Sequence, residues 1–239
     1  MEKAGGITYQ DKWDSMFAAN IDELSFVESS IDKEIAEGKM FYPPRQNRYR
    51  AFSLCPFDKI RVIILGDEPY NGPGQADGLA WSSANGMPPD LQQIHIELNK
   101  DLGCYFPKET SLESWAKQGV LLLNCALTSR RNIKCYHIDL WEHVMNNFIE
   151  YISDNAKPCV WILWGSLAKS KQRFIDPRHD IITSDHPSPL GCWIKSPNNF
   201  RGSSPFSKTN KLLVDPIIWG EGMIVTECDE ESNDDDAPV

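Results

Sequence analysis

The sequence predicts an α/β fold, a three-layer α/β/α sandwich in which helices cover both faces of a central four-stranded parallel sheet. Four short runs are apolar without alternation, which indicates strands buried on both faces, as in a parallel sheet. Longer segments with helical spacing of apolar residues separate these runs, as expected of βαβ units. The four runs are residues 62–65, 120–123, 160–163 and 181–183.

Two start signals predict helices between these strands. Thr110 and Glu113 have the spacing of a capping box, which opens a short helix that Gly119 closes just before the second strand. Asp139 and Glu142 form a weaker version of the same signal. The apolar residues that share one face of this second predicted helix are Leu140, Val144, Phe148 and Ile152.

The composition, 41% hydrophobic and 24% charged, is that of a globular chain and excludes collagen, low-complexity disorder and a disulfide-stapled miniprotein. No stretch approaches the roughly 18 apolar residues of a membrane span, and residues 1–6 do not resemble a signal peptide. We therefore expect no membrane association and a cytoplasmic location, or a nucleus or host cell for a eukaryotic or viral source. The seven cysteines lack metal-ligand spacing, which predicts reduced thiols and no metal.

The net charge of −10 is unevenly distributed. Seven acids and no base follow residue 226, so only −3 of that charge falls on residues 1–226. We expect one monomeric domain over residues 1–226 and a disordered acidic tail over residues 227–239. An acidic chain would ordinarily argue against a nucleic-acid partner, but the nearly balanced domain removes that objection.

Side chains that can carry chemistry follow each predicted strand. In parallel sheets, ligands bind beyond the carboxyl ends of the strands, so these residues are expected to meet at one edge. In chain order they are Asp67 and Glu68, then Asn124, then Gly165, and finally His186.

This set of groups suits a nucleotide. Tyr70 and Trp81 offer flat faces to a planar base, and the Asn124 amide can both donate to and accept from its edge. A carboxylate and an imidazole facing each other suit N-glycosidic cleavage, because one stabilises a cationic sugar and the other the departing base. The bases expected near phosphates are Arg130, Arg131, Lys169 and Lys195.

From about residue 50 to residue 213, these segments resemble the family 1 uracil-DNA glycosylases. The family's water-activating loop, G-Q-D-P-Y-H-G-P-G-Q-A-H-G-L, is matched by residues 66–79, which read G-D-E-P-Y-N-G-P-G-Q-A-D-G-L. The family's L-L-L-N matches residues 121–124, its W-G-S residues 164–166 and its H-P-S-P-L residues 186–190. The resemblance implies an enzyme without cofactor that flips a pyrimidine nucleotide, by default uracil, out of DNA and hydrolyses its N-glycosidic bond.

The resemblance also implies a role for each matching residue. Glu68 and His186 are the expected catalytic pair, and we add Asp67 as a candidate catalytic acid. Asn124 reads the base edge and Tyr70 crowds its C5 position. The other base-binding candidates are Asn71, Gln75 and Trp81, which stands where the family has a stacking Phe. The DNA-binding candidates are Pro88, Pro89, Gly165, Ser166, Ser188, Lys195, Arg201 and the wedge Leu190, which fills the gap left by the flipped nucleotide.

Four loop positions depart from the family, which has Gln, Asp, His and His where this chain has Asp67, Glu68, Asn71 and Asp77. Glu68 is one methylene longer than Asp, and a displacement of about an ångström can cost on the order of 100-fold in rate. The connection over residues 191–201 is also longer than in the family. Three interpretations stay open: a divergent uracil-excising enzyme, a glycosylase for a modified base such as the hypermodified cytosine of phage DNA in anti-phage defence, and an inactive DNA- or protein-binding module.

Overall fold

The computed structural model describes residues 9–105 and 110–223. Its strands are β1 (Phe41–Tyr42), β2 (Val62–Gly66), β3 (Val120–Asn124), β4 (Ser129–Arg130), β5 (Val160–Trp164) and β6 (Asp180–Ser184). Its helices are α1 (Tyr9–Ala19), α2 (Ile21–Ala36), α3 (Arg50–Leu54), α4 (Pro89–Leu102), α5 (Glu113–Ala116), α6 (Ile138–Asn155), α7 (Ser166–Ser170), α8 (Pro189–Trp193) and α9 (Pro205–Lys211). Single 3-10 turns cover Arg45–Asn47, Phe57–Lys59 and Lys171–Phe174.

The four predicted strands form one parallel sheet in the order β3-β2-β5-β6, which confirms the predicted α/β fold. Strands β2, β3 and β5 are buried along their whole length, as their continuous apolar runs require. Strand β6 lies at the edge of the sheet and is partly exposed. Helices flank the sheet: α3 and α5 pack against β3, α7 against β5 and α9 against β6.

The strand register brings the carboxyl ends of the strands to one level. Gly66 at the end of β2 pairs with Asn124 at the end of β3, and Trp164 at the end of β5 pairs with Ser184 at the end of β6. The residues that follow these strands therefore emerge at the same edge of the sheet.

Helices α1 and α2 extend the fold ahead of the first strand of the sheet. Asn20, the residue directly before α2, makes no side-chain capping bond, so no such bond stabilises the start of this helix. Tertiary packing stabilises both helices instead, as is usual for amphipathic helices. Their buried side chains are Trp13 and Met16 of α1 and Leu24, Val27 and Ile31 of α2.

The predicted capping box at Thr110 is wrong. The Thr110 hydroxyl donates to the Ser83 carbonyl oxygen at 2.8 Å, and α5 begins at Glu113, directly after Leu112. A tertiary hydrogen bond has thus taken the hydroxyl that the local pattern assigned to the helix. Gly119 follows the helix as predicted, with a φ of +89° that favours glycine.

The predicted cap of α6 is also wrong. The helix begins at Ile138, and no side chain makes a capping bond at the preceding His137. Asp139 lies in the first turn, where its charge suits the positive end of the helix dipole. The predicted apolar face is confirmed, with Val144, Phe148 and Ile152 buried and Leu140 packed against the core.

Candidate active site

A cavity of about 600 Å³ lies at the carboxyl edge of the sheet. Glu68, Asn124 and His186, which are far apart along the chain, all line it. Nine further residues that the sequence singles out line it as well, namely Asp67, Tyr70, Asn71, Gln75, Trp81, Pro88, Pro89, Ser188 and Leu190. The structure therefore brings the predicted catalytic, base-binding and wedge residues together.

Four predicted DNA-binding residues lie outside this cavity lining, namely Gly165, Ser166, Lys195 and Arg201. Gly165 packs behind His186, since a Cβ at Gly165 would lie 3.1 Å from His186 Cδ2. Ser166 and Lys195 are exposed on the surface. The absence of a side chain at Gly165 thus makes room for the imidazole of His186.

Basic side chains expected near phosphates mostly bind other protein groups. Arg201 Nε donates to Gln93 Oε1 at 3.0 Å, and Lys169 Nζ lies 3.2 Å from Asp185 Oδ1. The cavity lining contains none of the predicted bases, which are Arg130, Arg131, Lys169, Lys195 and Arg201. A role for them at DNA would therefore be played outside the cavity.

A buried acid holds the loop that follows β2. Asp77 is 4% exposed, and its carboxylate accepts the Leu79 backbone N–H at 3.1 Å and the Ser82 hydroxyl at 2.6 Å. Arg50 Nη1 lies 3.3 Å from the same carboxylate. Asp77 is not among the residues that line the cavity, so this departure from the family shapes the loop.

Asn124 reaches the cavity from the end of β3, where it is 5% exposed. The neighbouring strand leaves room for it because its last residue is Gly66. A Cβ at Gly66 would lie 2.3 Å from Asn124 Oδ1 and 3.3 Å from Trp81 Nε1. The amide and the indole therefore depend on glycine at this position.

Two aromatic side chains from the loop line the cavity beside the amide. The Tyr70 hydroxyl donates to the Trp81 carbonyl oxygen at 3.3 Å, and burial raises the pKa of Tyr70 well above its usual value. The Trp81 backbone has a φ of +64°, which is rare for a bulky residue, and its ring lies 5.1 Å from that of His186. The loop thus holds an unfavourable backbone conformation that directs the indole into the site.

The Glu68 carboxylate is anchored at one oxygen only. Its Oε1 accepts the Cys135 backbone N–H at 2.7 Å, while its buried Oε2 has no hydrogen-bond partner among residues 9–105 and 110–223. Burial raises the pKa of Glu68, the Cys135 hydrogen bond opposes this shift, Asp67 adds to it and Lys134 opposes it. A water that reached Oε2 would satisfy a buried acceptor and meet a carboxylate of increased basicity.

His186 presents one ring nitrogen to the protein backbone and the other to an acid. Its Nδ1 accepts the Ser188 backbone N–H at 3.1 Å, which places the proton of the neutral ring on Nε2. Nε2 lies 3.7 Å from Asp67 Oδ2. Burial raises the pKa of Asp67, His186 opposes that shift and Asp90 adds to it. A neutral His186 is therefore a hydrogen-bond donor on the cavity side.

Three ionisable residues that line the cavity are missing from the predicted set, namely Asp90, Lys134 and Cys135. Asp90 directly follows the two predicted DNA-binding prolines, so its position in the sequence could have predicted that it lies at the site. Burial raises the pKa of Asp90, opposed by His186 and Lys134. Lys134 and Cys135 come from the connection between β4 and α6, where no motif points to a site.

The connection that follows the predicted wedge forms a rim outside the cavity. The Ser188 hydroxyl caps α8 by accepting the Gly191 backbone N–H at 3.1 Å, and Asn199 Nδ2 donates to the Ile194 carbonyl oxygen at 2.6 Å. Residues 191–201 do not line the cavity. The exposed apolar side chains of this rim are Leu190 (74%), Trp193 (75%) and Ile194 (55%).

Neither a metal centre nor a membrane span is found in the described part of the chain. No group of three or more His, Cys, Asp and Glu side chains there could hold a metal ion. No described helix is long and apolar enough to cross a bilayer. The predicted acidic tail, residues 227–239, lies outside the described residues.

The chain matches the family model of the Uracil DNA glycosylase superfamily over residues 52–213. It is 45% identical over 189 residues to the uracil-DNA glycosylase of Clostridium beijerinckii, covering 76% of this chain and 82% of that protein. It is 39% identical over 224 residues to the uracil-DNA glycosylase of Alkaliphilus oremlandii, covering 90% and 97% of the two chains. Among solved structures it is similar to mimivirus uracil-DNA glycosylase, with a TM-score of 0.81, 26% identity, and coverage of 90% of this chain and 88% of that one.

Proposed function

The chain belongs to the uracil-DNA glycosylase superfamily, and from that premise we propose that it flips uracil nucleotides out of DNA and hydrolyses their N-glycosidic bonds. The observation that carries this proposal is the convergence of Glu68, Asn124 and His186 on one cavity of about 600 Å³. A pocket of this size accommodates a base and its sugar. The product is DNA with an abasic site, together with the free base.

Base recognition falls to Asn124 and the two aromatic residues of the loop. The Asn124 amide can donate to O4 and accept from N3–H of uracil, which makes two hydrogen bonds to one edge. Trp81 supplies an apolar face, and the half-buried Tyr70, which also lines the cavity, is proposed to crowd C5 of the base. A tyrosine at that place counts against pyrimidines with bulky C5 groups, so a hypermodified cytosine is the poorer substrate.

Hydrolysis requires a base for water and an acceptor for negative charge. Glu68 takes a proton from water as the water oxygen bonds to C1′ of the sugar, and the carboxylate also stabilises the cationic character of that sugar. The C1′–N bond breaks with its electron pair going to the departing base. The Nε2–H of neutral His186 donates to the resulting anion.

Asp67 acts on His186 rather than on water in this proposal. Its Oδ2 lies 3.7 Å from His186 Nε2, whereas Glu68 Oε1 accepts the Cys135 backbone N–H. Asp67 is therefore a positioning residue for the imidazole. Pro88, Pro89 and Ser188, which line the cavity, are proposed to contact the DNA backbone, and the exposed Leu190 to fill the gap in the duplex.

Uracil-containing duplex DNA, followed by alkaline cleavage of abasic sites, tests the proposal. We expect Glu68→Gln to lower kcat by about 100-fold to 10,000-fold, the usual contribution of a general base, with DNA binding nearly unchanged. Asp67→Asn is the matched control, because it removes a neighbouring carboxylate charge and should change kcat by less than about 10-fold. Wild-type protein that forms no abasic sites would contradict the proposed function and favour a binding module, and equal losses in both variants would contradict the division of roles.

A further inference from the structure

We propose that the backbone N–H of Cys135 positions the Glu68 carboxylate to activate water, so that this chain depends on Glu at position 68 and would be impaired by the shorter Asp. The inference rests on the proposed function, because Glu68 is the base in that mechanism. It assigns a role to the connection between β4 and α6, residues 131–137. Cys135 is then a positioning residue that acts through Glu68.

The first observation is the hydrogen bond that joins the two residues. The Cys135 N–H donates to Glu68 Oε1 at 2.7 Å, a short distance typical of a charged acceptor, and the buried Oε2 has no partner among residues 9–105 and 110–223. A Glu side chain has several rotatable bonds, so without this contact the carboxylate would be free to adopt several positions. The bond fixes one oxygen and leaves the other to accept from water.

The second observation is the backbone conformation at Cys135. Its φ is +56°, in the left-handed region that is unfavourable for a residue with a side chain, and Asn132 in the same connection has a φ of +61°. Strain of this kind persists only where the surrounding structure holds it, and it is concentrated at functional sites. In this conformation the Cys135 N–H is directed at the Glu68 carboxylate.

The third observation is that the connection is held on both sides of Cys135. Before it, the Asn132 N–H donates to the Asn71 carbonyl oxygen at 3.3 Å, which ties the connection to the loop that follows β2. After it, the Tyr136 hydroxyl donates to Glu34 Oε2 of α2 at 2.8 Å. The N–H is therefore a donor whose position is fixed by other contacts.

Side-chain length decides which acid this donor can hold. An Asp side chain ends one C–C bond, about 1.5 Å, short of a Glu side chain. At position 68 its oxygens would therefore fall outside hydrogen-bond distance of the Cys135 N–H. An Asp carboxylate would lack the contact that orients it, and a displacement of about 1 Å can cost on the order of 100-fold in rate.

The same hydrogen bond also affects the protonation of Glu68. Burial raises the pKa of Glu68 and is the larger effect, and the hydrogen bond, which stabilises the ionised form, opposes it. Asp67 raises the same pKa and Lys134 lowers it, and Asp90 and His186 line the same cavity. Loss of the N–H alone, with these charges unchanged, therefore moves the acid limb of the pH–rate profile to higher pH.

The experiment removes the N–H without changing the side chain. Cys135→Ala keeps the N–H, whereas Cys135→lactic acid, made by ribosomal incorporation of the α-hydroxy acid, has the same methyl group and an ester oxygen in place of the N–H. Both changes are made in the wild type and in Glu68→Asp, and kcat on uracil-containing duplex DNA is measured against pH. The titration of the Glu68 carboxyl is followed by NMR of protein with isotope-labelled glutamate, and Glu68→Gln identifies its signal.

We expect the ester to lower kcat by about 10-fold to 100-fold relative to Cys135→Ala, the effect of one hydrogen bond to a charged group, and to move the acid limb to higher pH. Glu68→Asp should lower kcat by about 100-fold. In that background the ester should change kcat by less than about 2-fold, because the shorter acid has no bond to lose. A loss of the same size in both backgrounds would overturn the inference, since the ester would then only disturb the connection.

Two further outcomes decide the inference if the ester fails to fold or the enzyme is inactive. Should the ester variants not fold, the activity of Glu68→Asp decides, because a loss of about 100-fold supports the inference and wild-type activity overturns it. A wild type that forms no abasic sites would contradict the proposed function. The carboxyl titration would then still test the contact: a higher pKa of Glu68 in the ester than in Cys135→Ala supports it, and an unchanged pKa overturns it.

Discussion

Asp67, Glu68 and Asp90 bring three carboxyl groups to a cavity in which Lys134 is the single Lys or Arg among the described lining residues. Burial raises the pKa of each of these acids. A general base works only when ionised, so a raised pKa of Glu68 moves the acid limb of the pH–rate profile to higher pH. The neighbouring charges of Asp67 and Lys134 shift the pKa of Glu68, and with it this limb, in opposite directions.

Substitutions at Asp67 and Lys134 should therefore shift the acid limb with opposite signs. Asp67 raises the pKa of Glu68 and Lys134 lowers it. Asp67→Asn removes a like charge, so the limb moves to lower pH, whereas Lys134→Ala removes an opposite charge, so the limb moves to higher pH. Profiles of kcat/KM against pH on uracil-containing duplex DNA measure both shifts, and shifts in the same direction would exclude Glu68 as the group that sets the limb.

Single residues were predictable where they follow strands of the sheet. Glu68, Asn124 and His186 line one cavity because the parallel register brings the ends of their strands together. Lys134 could not be predicted in this way, because it lies in the connection between β4 and α6 and does not follow a strand of the parallel sheet. Arg201 was predicted from its charge to bind DNA, which stays a prediction, and the sequence did not indicate that its guanidinium donates to Gln93 Oε1.

At the scale of elements, the short helix α8 determines how the predicted wedge is presented. The Asn199 side chain donates to the carbonyl oxygens of Gly191, Cys192 and Ile194, of which the Ile194 oxygen, at 2.6 Å, is nearest. A five-residue helix has little stability of its own, so these bonds restrain it. Leu190 on this helix is 74% exposed and depends on that restraint for its direction.

Asn199→Ala should therefore weaken the use of the wedge without affecting the chemical step. We expect KM for uracil-containing duplex DNA to rise by about 10-fold, a loss of one to two hydrogen bonds, while kcat stays within about 2-fold of the wild type. Asn198→Ala is the control, since Asn198 is the exposed neighbour and its backbone carbonyl oxygen, which the substitution keeps, accepts the Asp185 backbone N–H. A parallel loss on single-stranded uracil DNA, which has no stack to fill, would count against the wedge interpretation.

Elements were predictable to the extent that their signals are long and local. The continuous apolar runs predicted all four strands of the sheet, because burial on both faces leaves a clear pattern. The capping box at Thr110 misled because its hydroxyl has a tertiary partner, the Ser83 carbonyl oxygen. The pairing of β1 with β4 involves two residues from each strand, too few for any periodicity to be seen.

At the scale of the whole molecule, the negative net charge opposes the binding of DNA, which is itself negatively charged. The chain carries a net charge of −10, and three of its acids line the cavity that DNA would approach. Seven of the negative charges belong to residues 227–239, whose disorder stays a prediction. A charged segment of this kind repels DNA over a distance set by the ionic strength, about 10 Å at 0.1 M salt.

Deletion of residues 227–239 should therefore tighten DNA binding at low salt. We expect the dissociation constant for duplex DNA to fall by about 10-fold at low ionic strength, and the difference to vanish as salt screens the removed charges. A full-length variant in which the seven acids are replaced by Asn and Gln separates charge from length, and it should behave like the deletion. Equal affinities of wild type and deletion at low salt would show that these charges do not reach the DNA. A large loss of thermal stability on deletion would instead show that the folded domain extends beyond residue 226, because a disordered segment contributes no packing to the native state.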